Sequence, residues 1–82
     1  MYNLDCIYNT SKSFYNKAKI EIKGKTKILY SYDTKVAEIK NKKVKVYNLQ
    51  SNSTLKHVKE FLLQEGFKAE NKKQIEKDYF IK

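Results

Sequence analysis

At Ser53 the apolar residues stop recurring at every second position and begin recurring at every third or fourth. That change of period divides the chain into a strand-forming part and a helix-forming part, and it constrains the fold more than any other feature. Before it, residues 14–48 alternate apolar with charged side chains, as half-buried strands do. Ala18, Ile20 and Ile22 share one parity, while Lys17, Lys19, Glu21 and Lys23 take the other. Gly24 marks a turn, after which Ile28, Tyr30 and Tyr32 are expected to face inward. Keeping both apolar sets on one face requires a three-residue loop, 23–25 or 24–26, or a bulge. A two-residue turn at Gly24-Lys25 would set Ile22 opposite Lys27.

A second hairpin reads more directly. With Asn41-Lys42 as a two-residue turn, Ile39 faces Val44 and Ala37 faces Val46. The other face then pairs Glu38 with Lys45, Lys40 with Lys43 and Val36 with Tyr47. Asn41 suits the positive φ that such a turn needs, whereas lysine in place of glycine does not favour it.

After Ser53, Leu55, Val58, Phe61 and Leu62 recur at helical spacing, which predicts a helix over 54–65. Ser53 or Ser51 caps its start and Gly66 ends it, with Phe67 folding back on the apolar stripe. A second, shorter helix is predicted over 72–79, with Asn71 as cap and Gln74 three residues on. The expected fold class is α+β: an antiparallel sheet of about four strands, formed by two hairpins in residues 14–48, with one long and one short C-terminal helix packed on one face. Residues 1–82 make a single domain, in which 1–12 are either an edge strand through Leu4, Cys6 and Tyr8 or a flexible arm.

Net charge is +9, and lysine supplies every basic residue because arginine is absent. Lys, Asn, Tyr and Ile together make 39 of the 82 residues, and all four have AT-rich codons, so part of that charge reflects base composition. Placement is more informative than the total. Residues 12–45 hold 11 lysines and three acids, whereas residues 51–82 hold seven lysines and five acids. Parity sends Lys17, Lys19, Lys23, Lys27, Lys40, Lys43 and Lys45 to the face opposite the apolar set, with Tyr15 and Tyr47 beside them. Interleaved cations and aromatics match single-strand nucleic-acid platforms, where bases stack and ammonium groups meet phosphates. The same pattern serves a solvated sheet face that discourages edge pairing. Without arginine there is no bidentate guanine reader, so any binding is expected to be weakly sequence-specific.

Chemistry-bearing residues are few. Cys6 and His57 are the sole cysteine and histidine, too few for a metal site or a disulfide. There is no glycine-rich phosphate loop and no nucleophile elbow. No catalytic residue, no metal and no cofactor is expected, and the chain does not read as an enzyme. Apolar runs such as Phe61-Leu62-Leu63 are far too short to span a membrane, and no secretory stretch precedes Asp5, so a cytoplasmic location is expected. Thr54, Lys56, His57 and Lys59 cluster in the first turns of the long helix, where backbone donors attract anions, and form a second candidate contact surface.

Three segments occur in combination: Ser13-Phe14-Tyr15-Asn16-Lys17-Ala18, Tyr30-Ser31-Tyr32-Asp33-Thr34-Lys35-Val36-Ala37, and Ser53-Thr54-Leu55-Lys56-His57-Val58-Lys59-Glu60-Phe61-Leu62. With Gly66-Phe67 and Lys77-Asp78-Tyr79, they resemble a family of small proteins encoded by bacteriophages and prophages of Gram-positive bacteria. Departures from that pattern are Asn16 in place of glycine, Asp33 in place of asparagine and Lys56 in place of arginine. The resemblance implies a source more than a mechanism. Three functions then fit: a non-enzymatic inhibitor of a host defence system, anti-CRISPR-like, that binds a nucleic-acid-containing complex; a direct nucleic-acid-binding accessory protein of phage gene expression or replication; or a homo-oligomeric interaction protein, for which a homodimer is the simplest form.

Overall fold

Three two-residue turns fold the strand-forming half back and forth in a computed structural model, which describes residues 2–4, 7–8 and 17–81. The strands are β1 (Tyr2–Asn3), β2 (Ala18–Lys23), β3 (Thr26–Ser31), β4 (Thr34–Lys40) and β5 (Lys43–Val46). They form one open antiparallel sheet in chain order, β1-β2-β3-β4-β5. Tyr2–Asn3 of β1, at the start of the segment read as an edge strand or a flexible arm, pair with β2 at the sheet edge, which makes five strands where about four were expected. Leu4 continues its pairing, donating its N–H to the Ala18 carbonyl at 2.9 Å, and buries its side chain in the core. Tyr8 does not continue the strand; its N–H meets the Glu60 carboxylate on the long helix. Cys6 lies outside the described residues.

The β4–β5 hairpin has the register read from the sequence, with Ala37 opposite Val46, Glu38 opposite Lys45, Ile39 opposite Val44 and Lys40 opposite Lys43. Asn41 and Lys42 both take positive φ, 51° and 63°, as a type I′ turn requires. Tyr32 and Asp33 do the same between β3 and β4, at 50° and 67°. These turns match the right-handed twist of the strands they join, which is why unfavoured residues are held there.

The β2–β3 register corrects the sequence expectation. Gly24-Lys25 is a two-residue turn with positive φ at Gly24 alone, Lys23 pairs with Thr26, and Ile22 stands opposite Lys27. The inward residues of β3 are therefore Lys27, Leu29 and Ser31, and Ile28 and Tyr30 face the other way. Leu29 supplies the apolar contact, being fully buried between Ile20 and Ala37. A bulge in β4 then changes phase: Leu29 pairs with Ala37 but Tyr30 pairs with Lys35, leaving Val36 as the extra residue. Val36 joins Ala37 in the core instead of sharing a face with Tyr47, although the Tyr47 N–H still reaches its carbonyl at 2.7 Å.

Helix α1 (Asn52–Gln64) starts where the Ser51 hydroxyl accepts the Thr54 N–H. It stops at Gly66, with φ +84°, through bonds from Gly66 N–H to the Leu63 carbonyl and from Phe67 N–H to the Leu62 carbonyl. Helix α2 (Lys72–Tyr79) starts where Asn71 accepts the Gln74 N–H. Val58, Phe61 and Leu62 of α1 and Ile75 of α2 pack with Ala18, Ile20, Leu29, Val36, Ala37, Ile39 and Val46 of the sheet. Phe80 forms a parallel bridge with Val46 and Ile81 donates to the Val46 carbonyl, so the chain end pairs along β5. No helix of the described residues is long and apolar enough to cross a membrane.

Candidate nucleic-acid interface

Side chains on the sheet face opposite the helices fall into three rows across the strands, because antiparallel partners share a face. The first row is Lys19, Tyr30, Lys35 and then Tyr47, whose backbone bonds to Val36 next to Lys35. The second is Glu21, Ile28, Glu38 and Lys45. The third, at the turn end, is Lys23, Thr26, Lys40 and Lys43. Neighbouring strands lie about 4.8 Å apart, so Tyr30 and Tyr47 stand about 10 Å from each other.

Both tyrosines are held by the same device. The Tyr30 hydroxyl donates to Glu21 at 2.9 Å and the Tyr47 hydroxyl donates to Glu38 at 2.7 Å. Each ring therefore leans from the first row toward the second, on either side of Ile28. Lys35 completes the arrangement, pairing with Glu38 at 2.7 Å and placing its ammonium 5.0 Å from the centre of the Tyr47 ring. The Lys35 and Tyr47 hydrogen bonds hold the Glu38 carboxyl below its usual range. The Glu38 bond raises the Lys35 ammonium, and the Glu21 bond raises the Tyr30 phenol; burial, then Glu38, raises Tyr47. At neutral pH the face thus carries an ionised Glu38, a charged Lys35 and two protonated phenols.

The two acids of this face are consequently engaged by its own donors. Lys23 lies 3.8 Å from Glu21, and Lys19 lies 3.9 Å from Asp33 at the next turn. Among the described residues Lys40, Lys43 and Lys45 have no carboxylate within ion-pair distance. Of the residues expected on this face, Lys19, Lys23, Lys40, Lys43, Lys45 and Tyr47 lie on it, and Lys17 is exposed just before β2. Tyr15 falls outside the described residues. Lys27 is a correction: the two-residue turn puts it on the helix side, where both Glu65 carboxylate oxygens accept from it at 2.9 and 3.0 Å. Lys35 and Tyr30 belong to the face and were missed. The adjacent apolar pair Val36-Ala37, which breaks the alternation, was the available sign of the bulge that puts Lys35 there.

The second candidate surface is also corrected. Lys56 is exposed and Lys59 partly so, but Thr54 and His57 are buried. Positions 54, 57, 58 and 61 fall on one helix face, so these two polar residues extend the apolar stripe inward. They meet Ser31: its hydroxyl lies 2.8 Å from His57 Nδ1 and 3.3 Å from Thr54 Oγ1, and Ser51 donates to Thr54 Oγ1 at 2.9 Å. The Tyr32 ring covers His57 at 5.6 Å between ring centres. Burial, with Lys17 and Lys56 adding repulsion, lowers the imidazole to about 4, so His57 is neutral at pH 7. Ser31 is 3% exposed, which keeps substrate from its hydroxyl. Among the described residues no three His, Cys, Asp or Glu side chains come together to hold a metal ion.

No curated protein and no solved structure matches the chain. A match to a family model runs over residues 2–77, which takes in the sheet, α1 and most of α2. The chain therefore belongs to the family of unknown function DUF8033.

Proposed function

We propose that this protein is a non-enzymatic binding module that holds a nucleic-acid-containing partner on the lysine–tyrosine face of its sheet. The observation that carries this reading is the alternating row Lys19, Tyr30, Lys35 and Tyr47 beside Lys23, Lys40, Lys43 and Lys45. Ammonium groups neutralise phosphates and release counterions, while ring faces accept unpaired bases of any identity. The tyrosine–glutamate bonds hold the rings in place beforehand, which reduces the ordering cost of binding. The resemblance to phage and prophage proteins directs the choice of partner toward a host defence complex, such as a CRISPR effector, met in the bacterial cytosol.

Fluorescence anisotropy with labelled single-stranded and duplex oligonucleotides tests the contact. Single strands are expected to bind more tightly, with affinity falling steeply between about 50 and about 200 mM salt. Absence of binding to either form at the lower salt would refute it. Phage plating on hosts carrying a panel of defence systems tests the biological half. Rescue by the expressed protein favours the inhibitor, whereas binding without rescue favours an accessory protein of phage gene expression or replication.

A further inference from the structure

We infer that the turn end of the β4–β5 hairpin is a phosphate-binding subsite, formed by Lys40, Lys43 and Lys45 around a shallow depression. The inference deepens the reading of the sheet face as a nucleic-acid platform and takes the ligand's charge from it.

Register is the first support. Lys40 and Lys43 stand directly opposite each other, with Lys45 next along the same face. Like charges placed opposite destabilise a sheet unless something neutralises them. The neighbouring acid offsets this only in part: Glu38 stands across from Lys45 and lines the same depression, but its carboxylate makes its close contacts with Lys35 and Tyr47.

Shape is the second support. Glu38, Lys40, Asn41, Lys43 and Lys45 line a depression of about 230 Å³, so these ammonium stems surround a concavity. Charge at the same end of the sheet is the third. Thr26 pairs with Lys40, so the Gly24-Lys25 turn lies beside the Asn41-Lys42 turn, and Lys23, Lys25 and Lys42 add to the local potential. Lys42 sits at a φ of 63°, where glycine is the favoured residue, and still presents an exposed cation.

Lysine determines the ligand class. Three separate ammonium point charges suit a compact polyvalent anion approached from several sides, and they lack the planar fork that selects a carboxylate. A phosphodiester chain and a condensed phosphate both supply that chemistry. The tyrosine row lies about 13 Å from Lys40 and Lys43 along the strands and about 7 Å from Lys45, so a bound single strand would stack its bases there and lay phosphates at the hairpin end.

The test is a nitrogen–proton NMR titration with tripolyphosphate and, separately, with an oligothymidylate. It uses the native protein and two charge-matched variants: Lys40→Gln/Lys43→Gln/Lys45→Gln, and Lys72→Gln/Lys73→Gln/Lys77→Gln on exposed α2 positions. The native spectrum of each variant confirms its fold. Tripolyphosphate is expected to shift the amides of residues 38–45 foremost, and the hairpin variant to weaken that binding at least about tenfold. For the oligothymidylate, the slope of log affinity against log salt should fall by about 2 in the hairpin variant, as three lost contacts to a single strand imply. The α2 variant should leave both within about twofold. Equal losses in the two variants, or shifts spread over all exposed lysines, overturn the subsite. Oligothymidylate binding that keeps its full slope in the hairpin variant overturns it too, while leaving the sheet-face reading intact. Tripolyphosphate binding at the hairpin without any oligonucleotide binding supports the subsite with condensed phosphate as its ligand, and removes the nucleic-acid reading.

Discussion

Lowering the pH from 7 to 5 should remove about 2 kcal/mol of folding stability through His57 alone. The imidazole is 2% exposed and held to about 4 in the folded protein, against 6.5 for a solvated histidine. Because the folded value lies below the unfolded one, the unfolded chain takes up the proton first. Stability is then complete above about pH 6.5 and declines as pH falls toward about 4, with a full loss of about 3 kcal/mol. Burial is the main cause, because the charged ring would give up its hydration there. The Lys17 and Lys56 ammonium groups add repulsion to the charged form. Carboxylates such as Glu38, which Lys35 holds low, lose their contribution only at lower pH, so the interval from 7 to 5 isolates the histidine. Urea unfolding followed by circular dichroism at several pH values measures the loss, with an unchanged m-value as the check for two-state behaviour. As the chain has one histidine, its ring proton resonances give the folded titration midpoint directly. A midpoint near 6.5, or a stability that stays level between pH 7 and pH 5, would refute the argument.

Two further substitutions probe the elements that organise the sheet. Lys42→Gly should raise stability by about 0.5–1 kcal/mol in thermal or urea unfolding, because glycine takes the φ of 63° without side-chain strain. Ser31→Ala should cost about 1–3 kcal/mol by removing the hydroxyl that joins His57 Nδ1 to Thr54, and the His57 resonances should shift with it.

Much of the fold is legible because local chemistry alone dictates it. The Asn41-Lys42 turn and its four cross-strand pairs follow from alternation around a residue that tolerates positive φ. Both helices follow from a change of period between a capping side chain and, for α1, a terminating glycine. The candidate face is legible to the same extent. Wherever alternation is unbroken, as at Lys19, Lys23, Lys40, Lys43 and Lys45, parity places the lysine correctly.

What parity could not decide is the register of β3, and the reason lies far away in the chain. Turning two residues at Gly24-Lys25 places Lys27 and Ser31 inward, which alternation alone disfavours. Helix α1 makes both tolerable: Glu65 near its end takes the Lys27 ammonium, and Thr54 and His57 near its start take the Ser31 hydroxyl. These partners are 23 to 38 residues away in sequence, so no window along the chain reveals them. That register turns Tyr30 onto the open face, and the Val36 bulge brings Lys35 beside it and beside Tyr47. The amino-acid sequence by itself determined the two periods, the turns and most of the lysine face. Only tertiary packing determined which parity of β3 is buried, because a buried polar side chain is stable where another element supplies its partner.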